Sequence, residues 1–277
     1  MFQIFTSWEV RYKMENLYYE YKRDAAVNMY IFQGISTHAQ RHFHRAIEML
    51  YVTEGEIETT VGDEKFIASA DEIIFVHNYY VHSFAPKGQY KKFVFIIPAS
   101  YEKDVNKILK GLTLPPLLAD KEFNKREILP LVTKLYEGND TLPRLAKKGY
   151  INIIFGLLLD HYPTSAVKKA DNIDFMVEIL HYIDEHFREP ITLESIAGAF
   201  GYNKCYFSRV FNRYIGESLS NYVNVVRLRE FMEKARDEDS PQIAKLAVEC
   251  GFVSMPTFYR AFTKLYGCSP KAYFGDK

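Results

Sequence analysis

The chain has 277 residues, 48% hydrophobic and 16% aromatic, and its 35 Lys and Arg are matched by 35 Asp and Glu. This length predicts two domains with real cores, and the balanced charge excludes a bulk field that would draw in polyanions over the whole surface. Three cysteines, at 205, 250 and 268, form no CxxC pair, which excludes a disulfide framework and fits a reducing cytoplasm. Cys250 and Cys268 read as packing residues. No apolar run reaches the ~18 residues of a membrane span, and Glu9 and Arg11 interrupt the start of the chain, so neither a membrane partner nor a signal peptide is expected.

Residues 1 to 24 are rich in Tyr and charge and are expected to form an arm over a pocket mouth. From Ala25 to about Ile97 the hydrophobic period is two. Apolar runs at 27–32, 46–52, 57–61, 65–68, 72–76 and 92–97 are separated by turn signals at Gly34, Glu54-Gly55, Gly62-Asp63, Ala70-Asp71 and Pro86-Lys87-Gly88. Many short strands with regular turns predict a β-sandwich or barrel. Within them sits His42-Phe43-His44, with Glu48 and Gly55 following. His42, His44 and Glu48 all carry even numbers, so on one extended strand they would point the same way. His82 comes about three strands later.

The stretch from His42 to Gly55 resembles the first motif of the cupin barrel, and His82 falls where the second motif ends. The earlier Gly of that motif would fall at Ser36, and His77-Asn78-Tyr79-Tyr80 replaces the usual Pro-rich turn. In cupin enzymes the four matching residues hold a divalent metal, and three His with one carboxylate suit Fe, Mn, Ni or Zn. Two other readings stand beside the metal: the four line a pocket for a small-molecule effector, or they form structural hydrogen bonds. Of these, pocket lining without a cofactor is the reading adopted, by His42, His44, Glu48, His82, Tyr80 and Trp8. Tyr51, Phe75, Tyr79 and Phe84 are further rings that could stack on a sugar or aromatic effector, although barrel core explains Tyr51 and Phe75 equally well.

After Pro98 the period becomes helical. Val105, Ile108 and Leu109 predict a short helix, 121–137 a longer one with a kink at Pro130, and 142–161 a third. The third is apolar beyond one face, which predicts a homodimer contact. Residues 163–172 form a polar linker, and a helix from Ile173 to Phe187 opens the last domain.

That domain contains one pattern written twice. IAGAFGYNKCYFSRVFNRYIGESLSNY from Ile196 returns as LAVECGFVSMPTFYRAFTKLYGCSPKAY from Leu246. The offset is 50 up to the first Gly and 51 beyond it, as Gly201 to Gly251 and Phe207 to Phe258 show. Each copy predicts a short helix, a left-handed Gly turn, a capped second helix with two inward Phe, and a closing Gly. The caps expected are Thr192 and Asn203 in copy one, and Ser240, with Pro241 opening the helix, and Ser254 in copy two. Leu219 to Arg236 is a connecting helix. Helix, tight turn, helix is the unit whose second helix enters the DNA major groove. Neither second helix holds an acid between its cap and its closing Gly, as a phosphate-facing surface requires.

Residues 173 to 277 closely resemble the DNA-binding domain of the AraC/XylS family of bacterial transcription regulators, most specifically over CGFVSMPTFYRAFTKLYGCSPKAYF. By position, the resemblance implies that Cys205, Ser208 and Arg209, and Met255, Pro256, Thr257 and Arg260, face bases. With their neighbours Asn203, Lys204, Asn212, Arg213, Ser254 and Lys264 they make up the expected DNA-binding set. From Asp171 onward there are 13 basic and 15 acidic residues, so positive charge is local to the reading helices and modest affinity reinforced by dimerisation is expected.

The fold expected is α+β and multidomain. It comprises a cupin-like β-barrel (1–100), a helical dimerisation segment (101–162), a linker (163–172) and an all-α double helix-turn-helix domain (173–277). The function expected is a cytoplasmic, sequence-specific transcription regulator rather than an enzyme. It would act as a homodimer under a small-molecule effector, with a carbohydrate as first candidate, and would contact RNA polymerase if it activates. The alternatives are a metal-dependent cupin enzyme with an appended helical domain and a constitutive DNA-binding protein with a vestigial barrel.

Overall fold

The computed structural model describes residues 17–26, 28–98, 101, 105, 109, 111–167, 173–236 and 241–275. They fall into two units, one spanning 28–167 and the other 173–275 together with the segment 18–26. Trp8, Ile108 and Ser240 lie outside the described residues, as do 1–16 of the expected arm.

The first unit is built on two antiparallel sheets. Its strands are β1 (Tyr30–Ile35), β2 (Ala39–Phe43), β3 (Ile47–Glu54), β4 (Glu56–Val61), β5 (Glu64–Ser69), β6 (Ile73–Val76), β7 (His82–Pro86) and β8 (Lys91–Ile97). One sheet runs β2, β7, β4, β5, and the other runs Leu117–Leu118, β6, β3, β8, β1. β2 and β7 were not legible as apolar runs, because β2 carries Gln40, Arg41 and His42 and β7 reads His-Ser-Phe-Ala-Pro.

Alternation along the second sheet divides its side chains. Ile47, Met49 and Tyr51 with Phe93, Phe95 and Ile97 face outward, onto a core shared with Leu135, Ile154, Phe155 and Leu158 of the following helices. Leu50, Val52, Val94 and Ile96 face the interior, against Ile57, Val61 and Phe84 from the other sheet. By the same parity Glu48 and Lys92 are interior residues. Tyr51 and Phe75 belong to the outer core and Phe84 to the interior one, so the rings named for stacking do not share one face.

Buried Val105 and Leu109 belong to the outer core. Pro130 does not kink a continuous helix. The five residues Asn124–Ile128 form a wide π-type turn, which takes up the missing N–H and the ring of Pro130 before α1 (Leu129–Glu137) runs on. Asn124 pins this turn, donating to the Leu118 and Asp71 carbonyls at 2.9 and 3.0 Å. α2 spans Arg144–His161.

The second unit is helical: α3 (Asp174–His186), α4 (Leu193–Ala199), α5 (Lys204–Ile215), α6 (Leu219–Arg236), α7 (Ile243–Glu249), α8 (Met255–Tyr266) and α9 (Pro270–Phe274). The two copies match in length, with 7 residues in α4 and α7 and 12 in α5 and α8. Gly201 and Gly251 hold the turns at φ of +71° and +87°, and Gly216 and Gly267 close the second helices in the left-handed region. Thr192 caps α4 in a reciprocal box with Ser195, and Asn203 and Ser254 cap α5 and α8. The cap expected for α7 is corrected: Gln242 occupies the cap without a side-chain bond, and Pro241 precedes the helix instead of opening it. The connecting helix α6 is buried along most of its length, and Leu228, Phe231 and Met232 meet Phe258 and Phe262 of α8 in one core.

The two turn glycines are not equivalent. A Cβ on Gly201 would meet nothing within 4 Å, whereas one on Gly251 would lie 2.7 Å from Arg188 Cα and 2.9 Å from the Phe187 carbonyl. Gly201→Ala is expected to cost about 1–2 kcal/mol, the left-handed penalty of an L-residue. Gly251→Ala should cost clearly more, since backbone must also move. Urea unfolding of the two variants, followed by circular dichroism, measures the difference.

Candidate nucleic-acid interface and barrel site

The α5 helix exposes what its buried stripe leaves over. Phe207 and Phe211 are fully buried, while Lys204, Cys205, Arg209, Asn212 and Arg213 are exposed and Ser208 is half-buried. On α8, Phe258 and Phe262 are buried and Pro256, Arg260 and Lys264 are exposed. Thr257 is half-buried, and Met255 packs against the α8 core, so Met255 offers less of itself outward than its position suggested.

Several of the expected contact residues are already engaged within the unit. The Asn203 Oδ1 accepts from the Cys205 N–H at 2.9 Å, and the Ser254 Oγ accepts from the Thr257 N–H at 3.4 Å. Lys204 pairs with Glu194 at 2.6 Å and Lys264 with Glu217 at 2.8 Å. Arg260 donates to Thr257 Oγ1 at 3.3 Å. Among the described residues Arg209 and Arg213 have no hydrogen-bond or ion-pair partner, which leaves two guanidinium groups of α5 uncommitted.

Sequence reading missed the anchoring of segment 18–26. Buried Asp24 accepts from the Tyr222 hydroxyl of α6 at 2.7 Å and from Tyr19 at 2.5 Å. A lone Asp in a Tyr-rich stretch carried no signal of this.

In the barrel, the expectation that His42, His44 and Glu48 share one extended strand is corrected. His42 is the next-to-last residue of β2 and Glu48 the second of β3, and the chain bends between them at 44–46 as it passes from one sheet to the other. The bend nevertheless brings them together with His82 of β7. The four potential ligand atoms lie within 4.8 Å of one another, and all four side chains are buried. Each imidazole spends its Nδ1 on a backbone carbonyl: His42 on Gln40 at 2.7 Å, His44 on Ala46 at 2.9 Å and His82 on Tyr80 at 2.8 Å. This arrangement fixes ring orientation and turns each Nε2 toward the cluster. Tyr80 contributes this carbonyl, while its half-buried ring lines a small separate cavity with Val61 and His77.

A neutral imidazole has one N–H. With the Nδ1 proton given to a carbonyl, the His44 Nε2 offers a lone pair to Glu48 Oε2, 2.8 Å away, while His82 Nε2 lies 3.4 Å from the same oxygen. A proton or a metal cation has to lie between such groups. Burial pushes the Glu48 carboxyl up, but hydrogen bonds from His44 and His82 outweigh it and hold it well below the carboxylate range. Burial, and then the neighbouring His82, bring His42 down to about 3. Three ring nitrogens and one carboxylate oxygen fit a divalent transition metal, which would supply Lewis acidity or an anchor for an anion.

Two family profiles match the chain, one described as a helix-turn-helix domain over residues 196–276 and one as a cupin domain over 30–97. The barrel and the duplicated helical unit thus define a DNA-binding helix-turn-helix regulator with a cupin-like N-terminal domain. Over 96 residues, the chain is 30% identical to regulatory protein SoxS of Escherichia coli (strain K12), covering 35% of this chain and 89% of SoxS. Over 95 residues it is 30% identical to multiple antibiotic resistance protein MarA of the same strain, covering 34% of this chain and 74% of MarA. The chain belongs to the AraC/XylS family of transcription regulators. ToxT from Vibrio cholerae aligns with 89% of this chain and 98% of its own, at 12% identity and a TM-score of 0.40.

The shifts at His42 and Glu48 give the metal-free barrel a signed pH dependence. The folded His42 refuses a proton that the unfolded chain accepts below about 6.5, so stability falls as the pH drops from there toward 3. Glu48, depressed in the fold, loses its contribution in the same direction. His42→Gln should flatten the acid side of the stability–pH curve by up to ~1.4 kcal/mol per pH unit, the value of one proton, as read by chemical denaturation between pH 4 and 7.

Proposed function

We propose that the chain regulates transcription in the cytoplasm by laying α5 and α8 into successive major grooves of one duplex, under the control of an effector held in the barrel. One observation carries this reading: two 12-residue helices, each capped, acid-free and buried on its Phe stripe, are held by one connecting helix. A rigid connector would set the two about one helical turn of DNA apart, ~34 Å. The exposed side chains of the DNA-binding set would make the base and phosphate contacts, led by Arg209, Arg213 and Arg260. Lys204 and Lys264 would exchange a carboxylate for a phosphate. The effector would act through unequal affinity for the DNA-competent and incompetent states, because binding both equally shifts nothing.

The site proposed for the effector is the interior around His42, His44, Glu48 and His82. A carbohydrate belongs in the screen, as does a divalent metal, whose proposed ligands are the same four side chains. The donor set also favours one second reading, a metal-dependent enzyme. A stoichiometric metal lost in His44→Ala, with turnover of a substrate and no operator binding, would establish that alternative.

Homodimerisation is proposed through α2. Its buried side is Ile151, Ile154, Phe155 and Leu158, and Leu145 and Ile153 are left 82% and 52% exposed. A regulator that activates would in addition contact RNA polymerase.

Arg209→Ala and Arg260→Ala should each weaken operator binding by about 1–3 kcal/mol. If both leave affinity unchanged in a fluorescence-anisotropy titration, the reading helices are misplaced. Ile153→Asp should convert a dimer to a monomer in light scattering. A wild-type mass that stays monomeric at all concentrations removes the dimer.

A further inference from the structure

We propose that Lys92 anchors a small organic carboxylate taken into the barrel interior beside the histidine cluster. This rests on the reading of the barrel as the effector domain and names the class of effector.

Lys92 lies on β8, paired across the ladder with Gly34 of β1 and Val52 of β3. It is 3% exposed, and it is the one buried Lys or Arg among the described residues of this unit. A buried ammonium is normally held by a carboxylate or by carbonyls. Among the described residues Lys92 has neither a hydrogen bond nor an ion pair. It sits instead over ring faces, with Nζ 4.5 Å from the Phe84 centroid and 5.4 Å from that of Tyr90. Burial pushes it down to about 8, with Glu48 partly opposing, so it remains mostly charged at neutral pH.

Such a group is a liability to the free protein, since an apolar side chain of similar length would fill the space without desolvating a charge. Neighbouring Gly34 leaves room for it: a Cβ there would come within 3.2 Å of Lys92 Cε. What the charge can serve is a ligand. One cation facing aromatic walls matches one negative charge on a small apolar body, while a phosphate dianion would call for more donors. The Phe84 ring is 5.4 Å from that of His82, so a ligand lying along Phe84 would run from Lys92 toward the cluster. A neutral sugar could accept hydrogen bonds from the ammonium but would leave its charge without a counter-charge.

The test uses the full-length protein with acetate, lactate and benzoate, each set against its neutral amide. Binding is read by thermal shift and calorimetry in wild type, Lys92→Met and His44→Ala. The expected result is that at least one acid raises the melting temperature of the wild type while its amide does not. Lys92→Met should weaken that acid at least tenfold, and its ligand-free melting temperature should equal or exceed that of the wild type. Equal binding to wild type and Lys92→Met would overturn the anchor. If His44→Ala abolishes that same binding, the barrel reading stands without it. Failure of every acid to bind the wild type, or a ligand-free Lys92→Met protein melting several degrees lower, would likewise overturn the proposal, the latter by making Lys92 structural.

Discussion

Much of the helical unit depends on one buried cation on the connecting helix. Arg227, 8% exposed, donates from Nε to the Phe187 carbonyl at 2.7 Å and from Nη2 to the Glu189 carbonyl at 2.9 Å. Those carbonyls lie just beyond α3, where a helix end leaves acceptors unsatisfied. The same backbone is what Gly251 is pressed against, and Phe252 lies under the guanidinium, 5.9 Å from ring centroid to Cζ. A single side chain thus ties the opening helix, the connector and the turn of the second copy together. The first copy has no such clamp at its turn, since Gly201 has open space around it. The copies are alike in length and unlike in how closely their turn glycines are packed.

The barrel poses the opposite problem. Its interior is apolar except where the chain puts Glu48, Thr59, Lys92 and three imidazoles. Glu48 is hydrogen-bonded to His44, and each imidazole Nδ1 is held by a carbonyl, so part of their burial cost is offset inside the fold. Lys92 is not satisfied in that way. The contrast separates a group that the fold itself can justify from one that it cannot, and the second kind points more strongly to a ligand.

Legibility in the sequence followed from how local each signal was. The repeat was readable because its glycines, caps and Phe stripes are fixed by local backbone geometry, and those needs do not change with tertiary context. The α7 start was misread because Ser240 and Pro241 are strong propensity signals, yet the helix begins at Ile243, two residues beyond Pro241. In the barrel, parity predicted that His42, His44 and Glu48 would converge. They do, but through a bend between two sheets that parity cannot see. Lys92 left one usable trace. In KKFVFII Lys92 is in phase with Val94 and Ile96, but Lys91 is equally in phase with Phe93 and Phe95 and pairs with Glu54 near the surface, so the pattern named two candidates and only packing chose between them. Asp24 and Tyr222 are 198 residues apart, and no local pattern connects them.

Charge placement then explains how a unit that is not net basic can hold a polyanion. Four of its carboxylates are paired: Glu194 with Lys204, Glu217 with Lys264, Asp184 with Arg229 and Glu230 with Arg188. The lysines beside the reading helices are therefore neutralised in the free protein, and a phosphate must compete with a carboxylate for each. Exposed pairs of this kind are worth under ~1 kcal/mol, so the competition costs little at a well-fitted site, while it removes much of the attraction to DNA in general. What remains uncommitted on α5 is Arg209 and Arg213, whose forked donors suit base edges and phosphate oxygens alike. On the proposed reading, a surface arranged in this way would lower non-specific affinity more than specific affinity.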